Sequence, residues 1–343
     1  MPDRPVPGVP VPDRPVPGVP VPARASGGPW TLLALPPVPQ TAVLGLFGDL
    51  DVELLPLPER TQAAVEALLP EADLVIADWS PTLRVDDPGP RACFVQQPSV
   101  GYDGIDADAC ARAGVPVANC AGANTTSVAE WCVAAVLALL RSTVAADAGV
   151  RAGSWPQTSL GQQELAGKRV GVVGMGPVGA AAARLFAAFG CDVTYWSRRR
   201  HDEAPVPYAD LDALLGGSEV VVLAVALGPE TRGLVDARRL RPGAVLVNAA
   251  RGGVVDEPAL IEALRAGHLR GAALDVFAVE PLPADSPLRE LPGVLLSPHA
   301  AGSTGEAVLR ILGQTTANLR RVLAGEPVVD VVNGVDPQVH RRS

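Results

Sequence analysis

Lys168-Arg-Val-Gly-Val-Val173 runs without a break into Gly174-Met-Gly176-Pro-Val-Gly179, and an alanine-rich stretch from Ala180 to Phe189 follows. An apolar run, a glycine-rich turn and an amphipathic segment in that order read as the strand, phosphate loop and helix of a dinucleotide-binding βαβ unit. Gly174 suits the tight turn, Gly176 lets the backbone approach a pyrophosphate, and Gly179 lets helix and strand pack closely. Met175, Pro177 and Val178 complete the cofactor loop. Pro177 is tolerated because first-turn amides have no partner within a helix. Those free amides and the helix dipole favour phosphate. A glycine-rich turn alone recurs in many chains by chance, so the flanking strand and helix carry the reading.

The next strand, Asp192 to Trp196, ends where a cofactor ribose would be read. NAD-selective sites usually place a carboxylate there. This chain has Ser197-Arg198-Arg199-Arg200 instead. Arginine forks suit a 2′-phosphate, so NADP(H) is expected over NAD(H). The plainer alternative is a solvated charge run at a strand end.

Outward from this unit the pattern continues in both directions. Strands are expected at Glu219 to Val225, Ala244 to Asn248, Gly271 to Val276 and Val294 to Ser297, with a helix at Pro258 to Ala266. Ahead of it, strands are expected at Thr31 to Leu35, Val52 to Leu55, Leu74 to Ala77, Cys93 to Gln96 and Val115 to Ala118. Helices fit near Glu59 to Leu69 and Asp106 to Ala113. Ser127-Val-Ala-Glu130 has the spacing of a capping box opening a helix from Val128 to Leu140, and Gly149 to Gly167 is rich in turn residues. Thr304 to Leu323 is a long helix with nowhere to pack in the glycine-loop unit, so a return to the first unit is expected. The fold class is α/β, with two doubly wound parallel sheets. Expected boundaries are a tail at 1–29, a substrate domain from 30–126 and 303–335, and a dinucleotide-binding domain at 127–302.

The tail repeats itself: Pro2 to Val11 and Pro12 to Val21 are the same ten letters. Proline fixes φ and removes an amide donor, which predicts an extended or disordered segment. The remaining chain is long enough to bury a sizeable core, with 48% hydrophobic residues in 343. The net charge of −9 argues against a nucleic-acid or anionic membrane surface. Lys168 is the single lysine. Five cysteines, an odd number without a CxxC pair or metal-ligand spacing, fit reduced thiols in a cytoplasmic protein and no metal. No apolar run reaches the roughly eighteen residues of a membrane span.

Three polar residues stand at the ends of strands or in the loops beyond them in the second half: Arg251, Glu280 and His299. Each has an ordinary surface reading alone. Together they lie where ligands of open α/β sheets bind.

The chain here resembles the D-isomer-specific 2-hydroxyacid dehydrogenases. The segments that carry the resemblance are Ser99 to Asp106 (SVGYDGID), Ser127 to Glu130, Gly174 to Gly179, Leu223 to Val235, Val247 to Glu257, Leu274 to Pro281 and Ser297 to Thr304. It extends over about Trp30 to Asn333. The resemblance implies a flavodoxin-like substrate domain interrupted by a Rossmann cofactor domain, and a homodimer formed around Val128 to Trp155. It implies NAD(P) as cofactor and a small anionic 2-oxo or 2-hydroxy acid as substrate. On that pattern Arg251 holds the substrate carboxylate, His299 gives or takes the proton, and Glu280 pairs with His299. Val100 and Gly101 supply backbone amides for the carboxylate. Asp275 meets the nicotinamide carboxamide, and Thr125, Thr126 and Ala250 lie beside the cofactor.

Two departures stand out. The acidic ribose contact is missing, and Ala224-Val-Ala226 replaces the His-x-Pro type of turn. Trp131 and Cys120 are expected to be packing residues, and His201, His268 and His340 surface ones. A non-enzymatic nucleotide-sensing scaffold, as in the family's corepressors, is an alternative. So is oxidation of another small anion such as formate or phosphite, although formate enzymes of the group carry glutamine at the position of Glu280.

Overall fold

The computed structural model describes residues 28–38, 45, 47, 49–80 and 82–342. The proline repeat, Pro2 to Val21, lies outside the described residues. The chain divides into two compact units, 1–123 with 305–343, and 124–304.

In the first unit, β1 (Trp30–Ala34), β2 (Val52–Leu54), β3 (Leu74–Ile76), β4 (Phe94–Gln96) and β5 (Val117–Ala118) form a parallel sheet in the order β2-β1-β3-β4-β5. This is the flavodoxin-type order. Helices α1 (Gln62–Leu68) and α2 (Ala107–Arg112) start on side-chain caps, Thr61 accepting from Ala64 and Asp106 from Ala109. The C-terminal helix of this unit, Gly305–Leu323, is amphipathic and buries Leu319 and Val322 against Leu32, Ala34 and Phe94. Its Asn318 reaches the sheet, donating to Gln96 Oε1 at 2.8 Å.

In the second unit, α3 (Thr125–Leu140) and α4 (Thr143–Arg151) precede β6 (Arg169–Val173), α5 (Pro177–Ala188), β7 (Asp192–Trp196), α6 (Leu211–Gly217) and β8 (Val220–Leu223). Then come β9 (Val245–Asn248), α7 (Glu257–Arg265), β10 (Gly271–Leu274) and β11 (Val294–Leu296). The sheet is parallel throughout, in the order β11-β10-β9-β8-β6-β7. The central strands, such as Val-Val-Val-Leu of β8, are buried on both faces, which is why they read as unbroken apolar runs. Its reversal of strand order falls between β6 and β8, one strand short of the six-stranded dinucleotide order on the β7 side among the described residues. α3 and α5 lie in one core with β6, where Val128, Cys132 and Val136 meet Ala182, Ala183 and Phe186.

Two local expectations fail. The Ser127 capping box does not form: α3 starts at Thr125 with Asn124 as N-cap, and the Ser127 hydroxyl pairs instead with Thr304 Oγ1 at 2.8 Å. Moving the start by three residues puts Ser127 in the first turn, where its side chain faces the core rather than the helix end. α4, to which the sequence assigns no element, buries none of its residues and leaves Val144 and Val150 exposed. No single described helix is long and apolar enough to cross a membrane. Among the described residues no cluster of three metal-ligating side chains occurs.

Candidate active site

At the order reversal, β6 delivers Gly174 at φ +107, where a Cβ would overlap the Ala224 carbonyl. Gly179 sits so close beneath that its Cβ would collide with the Gly174 carbonyl oxygen. Gly176, by contrast, caps α5 with nothing within 4 Å of its Cβ direction, and Pro177 follows at the first helical position. Two glycines thus close the loop onto the sheet and the third leaves it open outward. That is a cradle of the kind a pyrophosphate fits, with the first-turn amides of α5 facing it. Met175 and Ala250 are buried, Val178 is half-buried and Thr126 is exposed on the first turn of α3.

The loop after β7 is less simple than its sequence. The Ser197 hydroxyl donates to the Arg199 carbonyl. Arg198 is ion-paired with Glu230 at 2.7 Å, an acid absent from the local sequence and supplied by the loop after β8. Arg200 lies over the Tyr208 ring at 4.3 Å, and Arg199 is exposed. Thr231 fixes that second loop by donating to the Ala226 carbonyl and accepting from the Gly228 amide, at 2.7 and 2.8 Å.

Arg251, Glu280 and His299 are brought together by backbone devices. Asn248, ending β9, accepts from Ala250 N and donates to the Arg251 carbonyl, both at 3.1 Å. Gly252 then backs directly onto the Phe277 carbonyl, with no space for a Cβ. Arg251 Nη1 donates to the Ala250 carbonyl at 2.7 Å. Beyond β10, Asp275 is 2% exposed, and its two carboxylate oxygens accept from Ala300 N and Ala301 N at 2.8 and 2.9 Å. The His299 amide donates to the Asp275 carbonyl. These bonds hold His299 at φ +56, a conformation that non-glycine residues rarely adopt. Glu280 is braced by the Phe277 amide at 3.0 Å, and Glu257 accepts from the Ala278 amide at the same distance.

His299 Nδ1 meets Glu280 Oε2 at 2.7 Å. That hydrogen bond, against the opposing effect of desolvation and with the Glu280 charge adding to it, raises the imidazole above its ordinary 6.5. Burial pushes the Glu280 carboxyl up, but the bonds from His299 and the Phe277 amide, with the Arg251 charge, bring it below the ordinary value. The pair therefore favours imidazolium beside carboxylate, with Arg251 close enough to act on both. Such an arrangement can bind an anion and exchange one proton.

These features coincide with a known family. The D-isomer specific 2-hydroxyacid dehydrogenase NAD binding domain matches residues 133–301. A glyoxylate reductase of Thermofilum pendens is 38% identical over 293 residues, covering 82% of this chain and 84% of the relative. The chain belongs to this family. A D-3-phosphoglycerate dehydrogenase of Mycobacterium leprae is 39% identical over 303 residues, which cover 86% of this chain but 57% of that enzyme. The chain thus spans little more than half the length of that family member. Among solved structures, the NAD complex of a formate dehydrogenase from Staphylococcus aureus aligns with TM-score 0.79 at 28% identity, covering 88% of this chain and 98% of that one.

Within the family pattern, Val100 and Gly101 fall in the first unit, half-buried in the loop after β4. Sequence reading missed Glu230 and Glu257, whose partners lie 32 and 21 residues away. It also missed the anchoring work of Asp275, although a lone acid at the end of an apolar strand was a signal. Cys120 is fully buried and its thiol is pushed up to about 11 by desolvation, which makes it inert. Trp131 packs against the core that α3 shares with α5. His268 Nε2 contacts the Leu240 carbonyl at 2.9 Å, and His201 and His340 are exposed.

Proposed function

We propose that this protein is an NAD(P)-dependent oxidoreductase that interconverts a small 2-oxo acid and its D-2-hydroxy acid. The observation that carries the proposal is the His299–Glu280 pair at 2.7 Å with a raised imidazole pKa, beside Arg251 and on the same strand ends as the glycine loop. Gly174 to Gly179, Ser197, Arg198, Arg199, Thr126, Ala250 and Asp275 are the residues assigned to the cofactor. A nicotinamide held by these residues would supply the hydride that the substrate's C2 receives.

The chain's own residues supply the rest. Arg251 offers a planar fork to the substrate carboxylate or 2-oxo oxygen, a geometry lysine cannot match. Val100 and Gly101 contribute amides to the carboxylate. His299 holds its Nδ1 against Glu280, which leaves Nε2 to protonate the carbonyl oxygen as negative charge develops there. Glu280 keeps the imidazolium populated near neutral pH and stabilises it against Arg251. In the reverse direction the neutral imidazole accepts the hydroxyl proton.

NADP(H) is favoured over NAD(H), because β7 is followed directly by Ser197, Arg198 and Arg199, with arginine where an NAD-selective site places its carboxylate and the loop's acids, Asp202 and Glu203, coming only further on. Glu230 tempers that preference by holding Arg198. A homodimer is favoured as well, since Val144, Val150 and Trp155 leave apolar surface exposed on one region, Trp155 at 78%. Light scattering checks the dimer. A panel of glyoxylate, hydroxypyruvate, pyruvate and longer 2-oxo acids, each with NADPH and NADH, tests the activity at the nicotinamide absorbance. Cofactor binding without turnover of any acid would favour the scaffold alternative.

A further inference from the structure

The loop from Ser99 to Tyr102 shows an unusual distribution of hydrogen bonds. Its carbonyls are all held: Ser99 O by the Cys120 amide at 2.9 Å, Val100 O by Asn119 Nδ2 at 2.7 Å, Gly101 O by the Ser99 hydroxyl at 2.7 Å and Tyr102 O by the Ile105 amide at 3.0 Å. The Ser99 hydroxyl is itself bonded to Gln97 Nε2 at 2.7 Å, and Gln97 also donates to the Asp78 carbonyl at 3.1 Å. The amides of Val100, Gly101 and Tyr102 take part in none of the hydrogen bonds among the described residues.

In a trans peptide the carbonyl and the following amide are antiparallel within one rigid plane. Pinning Ser99 O therefore aims the Val100 amide, pinning Val100 O aims the Gly101 amide, and pinning Gly101 O aims the Tyr102 amide. The first two clamps come from adjacent residues, Asn119 and Cys120, so the Val100 and Gly101 amides turn away from the segment after β5. The Val100 and Gly101 amides are thus aimed to one side and left unpaired, as the donors of an anion-binding site are, and the Tyr102 amide is unpaired next to them in sequence.

Gln97 and Asn119 also carry a cost that folding does not explain. Each is at least nine-tenths buried, and Gln97 Oε1 and Asn119 Oδ1 have no partner. A buried acceptor left unmade is unfavourable. What each amide group does contribute is its donor, and each donor serves the loop.

We propose that Asn119, and Gln97 acting through Ser99, are positioning residues that fix the peptide planes of this loop, so that the amides of Val100, Gly101 and Tyr102 together receive the substrate carboxylate. This rests on the 2-oxo acid reading above and adds Tyr102 and the clamps to it. The test uses the full chain saturated with the cofactor it prefers. Oxamate, an unreactive 2-oxo acid analogue, is titrated calorimetrically, and KM and kcat are measured for the best 2-oxo acid found.

Asn119→Leu removes the donor together with the unpartnered oxygen and keeps most of the volume. The expected result is an oxamate Kd and a KM raised about tenfold or more, with kcat changed less than about threefold. Cofactor Kd and melting temperature should stay as in the parent. Ser99→Ala should give a smaller change of the same kind, reversed in Ser99→Thr, which restores the hydroxyl. Unchanged oxamate binding in Asn119→Leu, or a lower kcat and melting temperature at constant KM, overturns the positioning role alone. A parent protein that binds cofactor but neither binds oxamate nor reduces any 2-oxo acid overturns this proposal and the functional reading together.

Discussion

Two loops at the strand ends of the second unit hold their charged side chains in opposite ways. Around His299, a buried carboxylate, a backbone-on-backbone contact at Gly252 and a braced glutamate fix the backbone before any side chain is placed. After β7, the arginines are held by one exposed ion pair and one stacking contact, with Arg198 and Glu230 at 62% and 70% side-chain exposure. Surface pairs of that kind contribute about 0–1 kcal/mol and weaken with salt. Proton transfer, the role proposed around His299, demands fixed geometry, whereas gripping a phosphate, the role proposed for the arginines, does not. The contrast is between a preorganised site and an adaptable one.

The largest test of that contrast removes the proposed proton donor. His299→Asn should lower turnover by about 10²- to 10⁴-fold while leaving cofactor Kd unchanged; a variant that still turns over at the parent rate would end the assignment. The glycines come next. Gly252→Ala should lose about 1–3 kcal/mol from overpacking against Phe277, read as a lower melting temperature. Gly176→Ala should melt like the parent yet bind NADPH more weakly, because its Cβ would point into the open space of the proposed cofactor cradle. Equal melting temperatures for both variants would erase the distinction between a closed and an open glycine.

A subtler probe is pH. The reduction rate should persist above pH 6.5 and fall as pH rises through the raised imidazole pKa of His299. Glu280→Gln should move that fall to lower pH, and an unmoved limb would detach Glu280 from the proton. Stability follows the same sign: the contribution of the charged His299 is complete below 6.5 and lost as pH rises through the folded value. The smallest effect belongs to the loop after β7. Glu230→Gln should free Arg198 and tighten NADPH a few-fold relative to NADH at low salt, fading as ionic strength rises. No change in that ratio would mean that Arg198 does not reach the cofactor.

The same contrast marks where the sequence was legible. Strand β6, the loop and α5 could be read directly, because strand burial, turn glycines and helix start are local properties written within about twenty residues. Arg251, Glu280 and His299 were visible as polar residues at successive strand ends. What could not be read were contacts set by tertiary geometry: Glu230 on Arg198, Glu257 on Ala278, and Ser127 on Thr304 in place of a capping box. α4 escaped for another reason. It has no buried face, so no apolar periodicity points inward.

One contact described above reaches further than its size suggests. Gly252 meets the Phe277 carbonyl with no side chain between them. The loop that carries Arg251 and the loop that leads to Glu280 are therefore a single mechanical part. Side-chain packing yields by rotamer changes, but backbone pressed on backbone does not. Selection or engineering can then reshape the surrounding side chains while the spacing between Arg251 and Glu280, proposed to anchor the acid and to brace the proton donor, stays constant.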